Sequence, residues 1–401
     1  MKNILVVSSI ILGAVSAFAA EPIKLTVGGT IDTQAGHVSE KKAFHKVDPS
    51  SATSQTRSNS GIVNDTKVKF ELEGNSSLGF KYGGLIKLNA DTSRDATDND
   101  DNVGNRTMVF IESAKLGRLE GGAYDSVSKK MLLSANSVGV ADGGINGYMN
   151  QWINPKNIDG TKYSEKFIKW PELLTNCDCI SFANKVSYYT PKLAGFQVGV
   201  SYTPDSAVHG TVTQLKSTVK QEDQNFKDIV DYGVTYENKY QGAEFGIGLV
   251  GQFGKSKKLA VARKDLNAWE LGAKIGYKGF KVVGSYSDWR KSATPVVKDS
   301  TKKYGASYWT LGAQFELDKL TTSVSYFNAK RANVFASGIP ATTASHDRGF
   351  NKNQYLVMGA SYKLAEGFLP YAEVSHFKTK LHSATTNNSG YIILGGTKLS
   401  F

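Results

Sequence analysis

The segment NDTKVKFELEGNSSLGFKYGGLIKLNAD, Asn64 to Asp91, decides how the rest of the chain is read. In its first half Val68, Phe70 and Leu72 alternate with Lys67, Lys69 and Glu71. After NSSLG, the second half alternates Phe80, Tyr82, Ile86 and Leu88 with Lys81 and Lys87. A period of two belongs to a strand with two unlike faces. Two such runs across a short polar turn form a hairpin whose polar face continues from one strand onto the next.

The same unit recurs to the end of the chain. NRTMVFIESA and RLEGGAYD are joined by KLG, NKVSYYTP and GFQVGVSYTPD by KLA, and DYGVTYENK and AEFGIGLVGQFG by YQG. AWELGAKIGYK runs almost directly into FKVVGSYSDW. YGASYWTLGAQFEL and TTSVSYFNA are joined by DKL, and QYLVMGASYKL and FLPYAEVSHFK by AEG. With a first strand IKLTVGGTID and a last one, YIILGGTKLSF, the tally is about sixteen in up-and-down order. In the last strand Tyr391, Ile393, Gly395, Thr397, Leu399 and Phe401 fall on one face.

Connections alternate between short turns and long polar loops, such as the roughly 30 residues from Gln34 to Asn64 and the stretch SAVHGTVTQLKSTVKQEDQNF. That sidedness belongs to a barrel in an outer membrane, with short turns in the periplasm and long loops outside. In hydrocarbon each unpaired N–H or C=O costs several kcal/mol, so the sheet must close on itself and the last strand must pair with the first. The expected fold is therefore all-β, a 16-stranded antiparallel transmembrane β-barrel with an apolar outer face and a Lys/Ser/Gly lumen. Tyr188, Tyr202, Tyr232, Tyr236, Tyr277, Tyr286, Tyr362 and Phe401 fall on the outward parity near strand ends, where amphipathic rings suit the lipid interfaces.

Composition agrees. The 401 residues include 40 Gly, 19 Tyr and 19 Phe but only 9 Pro and 5 Met, a bias toward strands and turns. After the first twenty residues no stretch approaches the roughly 20 apolar residues of a spanning helix, which excludes a helical membrane protein. The N-terminus, MKNILVVSSIILGAVSAFAAEP, has Lys2, an apolar core and an A-x-A arrangement at Ala17 and Ala19. It reads as a secretory signal peptide over residues 1–19, leaving 20–401 as the exported barrel.

Forty-eight Lys and Arg face 36 Asp and Glu. Because the lysines are scattered at alternate strand positions, a basic lumen or attraction to anionic lipid fits better than nucleic-acid binding. Cys177 and Cys179 in NCDCIS are too close for a useful bridge and lack further ligands for a metal, so a structural loop role is expected and no cofactor is implied. Among His37, His45, His209, His346, His376 and His382 none lies in a catalytic motif, which argues against an enzyme. Asp98, Asp100 and Asn102 have the alternate spacing of a calcium loop, but the glycine comes late at Gly104 and no bidentate Glu follows.

The hairpin NKVSYYTPKLAGFQVGVSYTPD, Asn184 to Asp205, resembles the general bacterial porins, particularly those of alphaproteobacteria. The AAEPIKLTVGG junction, the RTMVFI and LGRLEGG hairpin and the terminal Phe agree with that resemblance, which covers essentially the whole mature chain.

The resemblance implies a homotrimer in outer-membrane lipid, each barrel passing small polar solutes and ions. It also implies a third loop, about Asp125 to Asn176, folded into the lumen with Asp142 as its carboxylate; an exposed loop with an ordinary turn aspartate is the competing reading. Opposite that loop it implies a basic ladder of Lys67, Lys69, Lys81 and Arg106, each of which could instead be a solvated wall residue. Phe401 corresponds to the signal read by the outer-membrane assembly machinery. One departure stands out, since the family's G-R pair at the end of the fifth strand reads Gly122, Ala123. The expected function is passive diffusion with a lean toward anions; the alternative is a channel selective for phosphate or other anions.

Overall fold

A computed structural model describes residues 22–91, 104–140, 152–154, 183–210, 226–257, 262–294, 296, 305–332, 349–382 and 386–401. Sixteen strands follow one another: β1 (Lys24–Glu40), β2 (Ser60–Asn75), β3 (Lys81–Asn89), β4 (Gly104–Ser113), β5 (Gly117–Ala123), β6 (Asn184–Tyr189), β7 (Phe196–Asp205) and β8 (Phe226–Tyr240) form the first half. The second half is β9 (Ala243–Ser256), β10 (Leu266–Tyr277), β11 (Phe280–Arg290), β12 (Ala306–Leu317), β13 (Leu320–Ala332), β14 (Phe350–Tyr362), β15 (Phe368–Lys380) and β16 (Asn388–Ser400). Each pairs antiparallel with its sequence neighbours, and β1 pairs with β16 from Thr30↔Ser400 to Glu40↔Gly390, so the sheet is a closed barrel. At the seam Gly29 N donates to Phe401 O at 3.0 Å and Phe401 N donates to Gly29 O at 3.2 Å.

Alternation sorts the side chains as the sequence implies. Val27, Ile31, Ile86, Val109, Ile111, Leu249, Ile275 and Ile393 are all exposed on the outer face. On β2 the opposite parity holds Asp65, Lys67, Lys69 and Glu71, whose ion pairs lie on the lumen side. Outward aromatic rings form two levels. Toward the long loops Tyr232 meets Phe253 at 6.0 Å, Trp269 meets Tyr286 at 5.8 Å and Trp309 meets Tyr326 at 5.1 Å between centroids. Toward the short turns Phe196 meets Tyr236 at 4.5 Å, and Tyr236 meets Phe245 at 6.1 Å. From Trp269 to Tyr277 is eight residue steps, about 27 Å along a strand and about 20 Å in height at the usual tilt, a little under the roughly 25 Å of an outer-membrane apolar band. Leu249 lies midway between Phe245 and Phe253 on β9 and is exposed. Leu249→Arg should therefore cost about 2–4 kcal/mol in guanidinium unfolding from vesicles, whereas a lysine at the inward Gln314 should cost little.

Several strands run past this band. β1 continues to Glu40 and β2 begins at Ser60, so much of the expected Gln34–Asn64 loop is strand. Above Asp32 polar residues enter both faces among Ala35, Val38, Ile62 and Val63 and the lipid-type alternation fades, but the ladder still pairs, helped by Thr33 donating to Asn64 at 2.7 Å and by the His37–Ser60 contact at 2.8 Å. For the same reason Tyr232 lies mid-strand, since β8 extends back to Phe226. The short turns are tight: Gln241–Gly242 and Lys278–Gly279 are two-residue connections with positive φ at both positions, the hairpin geometry that matches strand twist.

Candidate functional site

The basic residues named from sequence meet on the wall of β2, β3 and β4. Lys87 on β3 lies directly across from Lys69 on β2 and from Arg106 on β4, so three cations form one row on adjacent strands. Lys67 stands one inward position above Lys69 and pairs with Asp65. Lys69 pairs with Glu71 at 3.0 Å, and both side chains stay about half exposed. Lys81 sits six residues from Lys87 at the short-turn end of β3, paired with Glu73 at 2.8 Å, and so lies apart from the row. Arg106 is largely buried and holds Asp125 at 3.2 Å, and Lys129 reaches the same carboxylate at 3.5 Å. Below it Arg118 stacks 3.7 Å over the Phe110 ring while binding Glu112 at 2.8 Å and Glu120 at 2.7 Å.

Sequence reasoning did not single out Lys87, Asp125, Lys129, Lys130 or Lys185. Lys185 on β6 pairs in register with Gly122, bringing a cation beside the place where the resemblance would supply an arginine. Its ammonium donates to the carbonyls of Tyr124 and Ala183. Lys130 lies 4.4 Å from the Tyr124 ring and 2.5 Å from Glu120; burial holds its ammonium below the ordinary lysine range, and the Glu120 hydrogen bond partly offsets this.

After β5 the chain turns against the lumen face. A short helix α1 (Val127–Lys130) and a 3-10 turn (Ala135–Val138) lie along inward positions of β7 to β13. Val127 N donates to Ser201 Oγ at 2.9 Å, Ala135 N to Thr310 Oγ1 at 3.2 Å, and Val140 N to Ser323 Oγ at 3.1 Å. Ser128 and Gln252 both donate to the buried Asp231 carboxylate, at 2.6 and 2.5 Å.

The wall makes room by omission. Gly199 and Gly233 are register partners, and a Cβ on either would stand 2.8 Å from Met131 Sδ. Gly248 and Gly272 are likewise partners facing Leu133, and a Cβ on Gly312 would meet Val138 at 2.6 Å. Gly233→Leu should therefore displace this segment at a cost of about 1–3 kcal/mol. Faster protease cleavage after Lys129 or Lys130, together with noisier current, would register it.

Residues 152–154 return to β1. Trp152 lies over Gly36 and donates to Gln34 Oε1 at 3.2 Å, while the buried Glu40 accepts from Arg57 at 2.5 Å, Asn388 at 2.8 Å and Asn154 N at 3.2 Å. Asp142, Cys177, Cys179 and the acidic stretch around Asp98 lie outside the described residues.

The wall of β12 to β15 differs from the polar lumen expected. Inward positions of β12 to β15 carry Tyr308, Phe327, Tyr355 and Phe377, at most 2 % exposed; the last three are in register and Tyr308 is a diagonal neighbour of Phe327, with centroids 5.5 and 6.1 Å apart between the first three. On the basic wall, by contrast, Lys69 and Lys81 stay accessible.

A family model described as Gram-negative porin matches residues 6–382. The chain belongs to the Gram-negative porin family. Its barrel is thus a channel of the bacterial outer membrane, and family and fold together point to transport rather than catalysis. An uncharacterized protein of Rickettsia bellii is 27% identical over 355 residues, covering 74% of this porin and 76% of the relative, and one of Rickettsia prowazekii is 25% identical over 363 residues with the same coverage. Among solved structures, Salmonella typhi OmpF in complex with daunomycin superposes with a TM-score of 0.59 at 13% identity, covering 94% of this chain and 97% of that one. The anion-selective porin of Comamonas acidovorans gives 0.54 at 17% identity, covering 95% and 100%. At such identities the likeness carries the fold.

Proposed function

We propose that this porin passes small hydrophilic solutes and ions by passive diffusion along an off-centre path beside β2, β3 and β4, with a modest preference for anions. The observation that carries the reading is the row of Lys69, Lys87 and Arg106 on three adjacent strands, in a lumen whose β12 to β15 side carries packed aromatic rings. Residues 125–176 form the inward third loop that narrows the path, and Asp142 contributes its carboxylate opposite Lys67, Lys69 and Arg106. Opposed charges across a narrowing orient dipolar solutes and hinder apolar ones. Lys81 acts at the periplasmic mouth. The protein has no catalytic role.

Three assembly statements complete the proposal. Residues 1–19 are removed on export. Phe401 serves both ring closure and recognition by the assembly machinery. The barrel forms a homotrimer through β16 and β1 to β4, where, beyond Tyr391 on β16, the outer aromatic level gives way to Thr33, His37, Asn64, Thr66 and Thr107; a Vibrio cholerae OmpT of similar fold is solved in a trimer form.

Planar-bilayer recording tests the pore. Under a tenfold salt gradient at low ionic strength, the reversal potential should show anions favoured about two- to fourfold. Strong cation preference would remove the basic row from the conduction path. Saturation and block of the current by added phosphate would favour the selective channel over open diffusion.

A further inference from the structure

We propose that the periplasmic rim of the barrel binds anionic phospholipid headgroups through one lysine at each of six consecutive hairpin turns. Lys115, Lys192, Lys239, Lys278, Lys319 and Lys363 stand at or beside the turns that join β4 to β5, β6 to β7, β8 to β9, β10 to β11, β12 to β13 and β14 to β15. All six are exposed. Up-and-down order places all six turns at one end of the barrel. Each lysine is next in sequence to an exposed apolar or aromatic residue: Leu116, Leu193, Tyr240, Tyr277, Leu320 and Leu364 respectively. A ring of cations set beside a ring of lipid-soluble side chains, just beyond the lower aromatic level, lies at the depth of lipid phosphates.

Two details favour a lipid over incidental surface charge. Lys278 occupies the first position of a two-residue turn at φ +46, where glycine or asparagine suits the backbone better. Its ammonium folds back to 5.2 Å from the Tyr277 ring, on the lipid-facing side. The second detail is how the six are paired. Lys192 meets Glu237 at 2.8 Å, Lys239 meets Glu244 at 2.5 Å and Lys363 meets Glu366 at 2.8 Å. Among the described residues, Lys115, Lys278 and Lys319 have no carboxylate within 4 Å, so three of the six turns, two of them adjacent, leave a cation available. The adjoining apolar side chains make a membrane-anchored phosphate a better fit than free phosphate, which gains nothing from them.

The test is the relative association of spin-labelled phosphatidylglycerol and spin-labelled phosphatidylcholine with the full barrel in phosphatidylcholine vesicles. At low salt the wild-type barrel should prefer the anionic lipid about threefold, and 0.5 M salt should bring the ratio near one. The triple variant Lys115→Gln, Lys278→Asn, Lys319→Gln should lose most of the preference at low salt, and Asn at position 278 suits the turn, so folding is preserved. Phosphate ions should compete no better than chloride at equal ionic strength. A wild-type ratio of one, or an unchanged ratio in the variant, overturns the proposal. Loss of binding to purified cell-wall sacculi with an unchanged lipid ratio would also overturn it and assign the lysines to cell-wall carboxylates. Conductance of the variant is read in parallel; its absence in wild type and variant alike would fault the diffusion pathway and leave the lipid result standing.

Discussion

With glutamate at both Lys87 and Arg106, the channel should pass cations in preference to anions. The two side chains face each other across one register position of β3 and β4, so the double change moves the wall by four elementary charges at a single height. An ion passing about 8 Å from each feels roughly 0.5 kcal/mol per unit charge in water-like surroundings, and screening at 0.1 M salt about halves that. The sum is about 1 kcal/mol for each sign of ion, opposite for anion and cation, and the permeability ratio should shift by about tenfold or more. Lys87→Glu alone should give about half the logarithmic shift. That single variant also avoids setting a new carboxylate against Asp125, which Arg106 holds in the wild type. At 1 M salt the effect should largely vanish, because the Debye length falls to about 3 Å. Reversal potentials that do not move at 0.1 M would mean that ions take another route through the barrel.

Deletion of Phe401 should lower the yield of heat-resistant barrel at least tenfold, read by the mobility shift on unheated gels. Phe401 contributes both backbone hydrogen bonds that extend the seam to Gly29, and its ring lies over that glycine, so that a Cβ there would stand 2.7 Å from Cζ of the ring. Leaving Gly29 unpaired at the edge of the hydrocarbon costs about 2–4 kcal/mol. Gly29→Val attacks the same contact from the other strand and leaves the C-terminus intact, although its Cβ also presses on the Lys67 carbonyl of β2 at 2.5 Å. Both changes should impair refolding of purified protein in detergent, where no cellular machinery acts. If the truncated chain refolds normally in detergent yet fails to assemble in cells, Phe401 acts as a recognition signal and not through the seam. Normal yield in both settings would remove it from either role.

The barrel was legible because lipid enforces a strict period. Wherever one face meets hydrocarbon and the other water, as in Lys67 to Leu72, the pattern names both strand and face. That signal ends where both faces are solvated, so the upper parts of β1 and β2 read as loop even though their backbones stay paired. Within the site, Arg106 and Lys69 were named through the resemblance and their strands turn them to the lumen, whereas the height of Lys81 depends on register, which parity does not contain. The inward Tyr308, Phe327, Tyr355 and Phe377 break the polar-lumen rule because the barrel interior is packed on that side. The wall glycines were visible in the sequence, but five glycines on five strands become one groove only after the strands are aligned.

That groove bears on how the channel comes into being. The segment it receives is made between the fifth and sixth strands, yet the wall that holds it is contributed by strands as late as the thirteenth, and its return leg rests on the first strand, where the Glu40 that accepts from Asn154 is also held by Asn388 of the sixteenth. A partly zipped sheet can offer only part of that berth. An assembling molecule should thus be at its leakiest before the final strands join, so the step that seals the cylinder also sets its calibre.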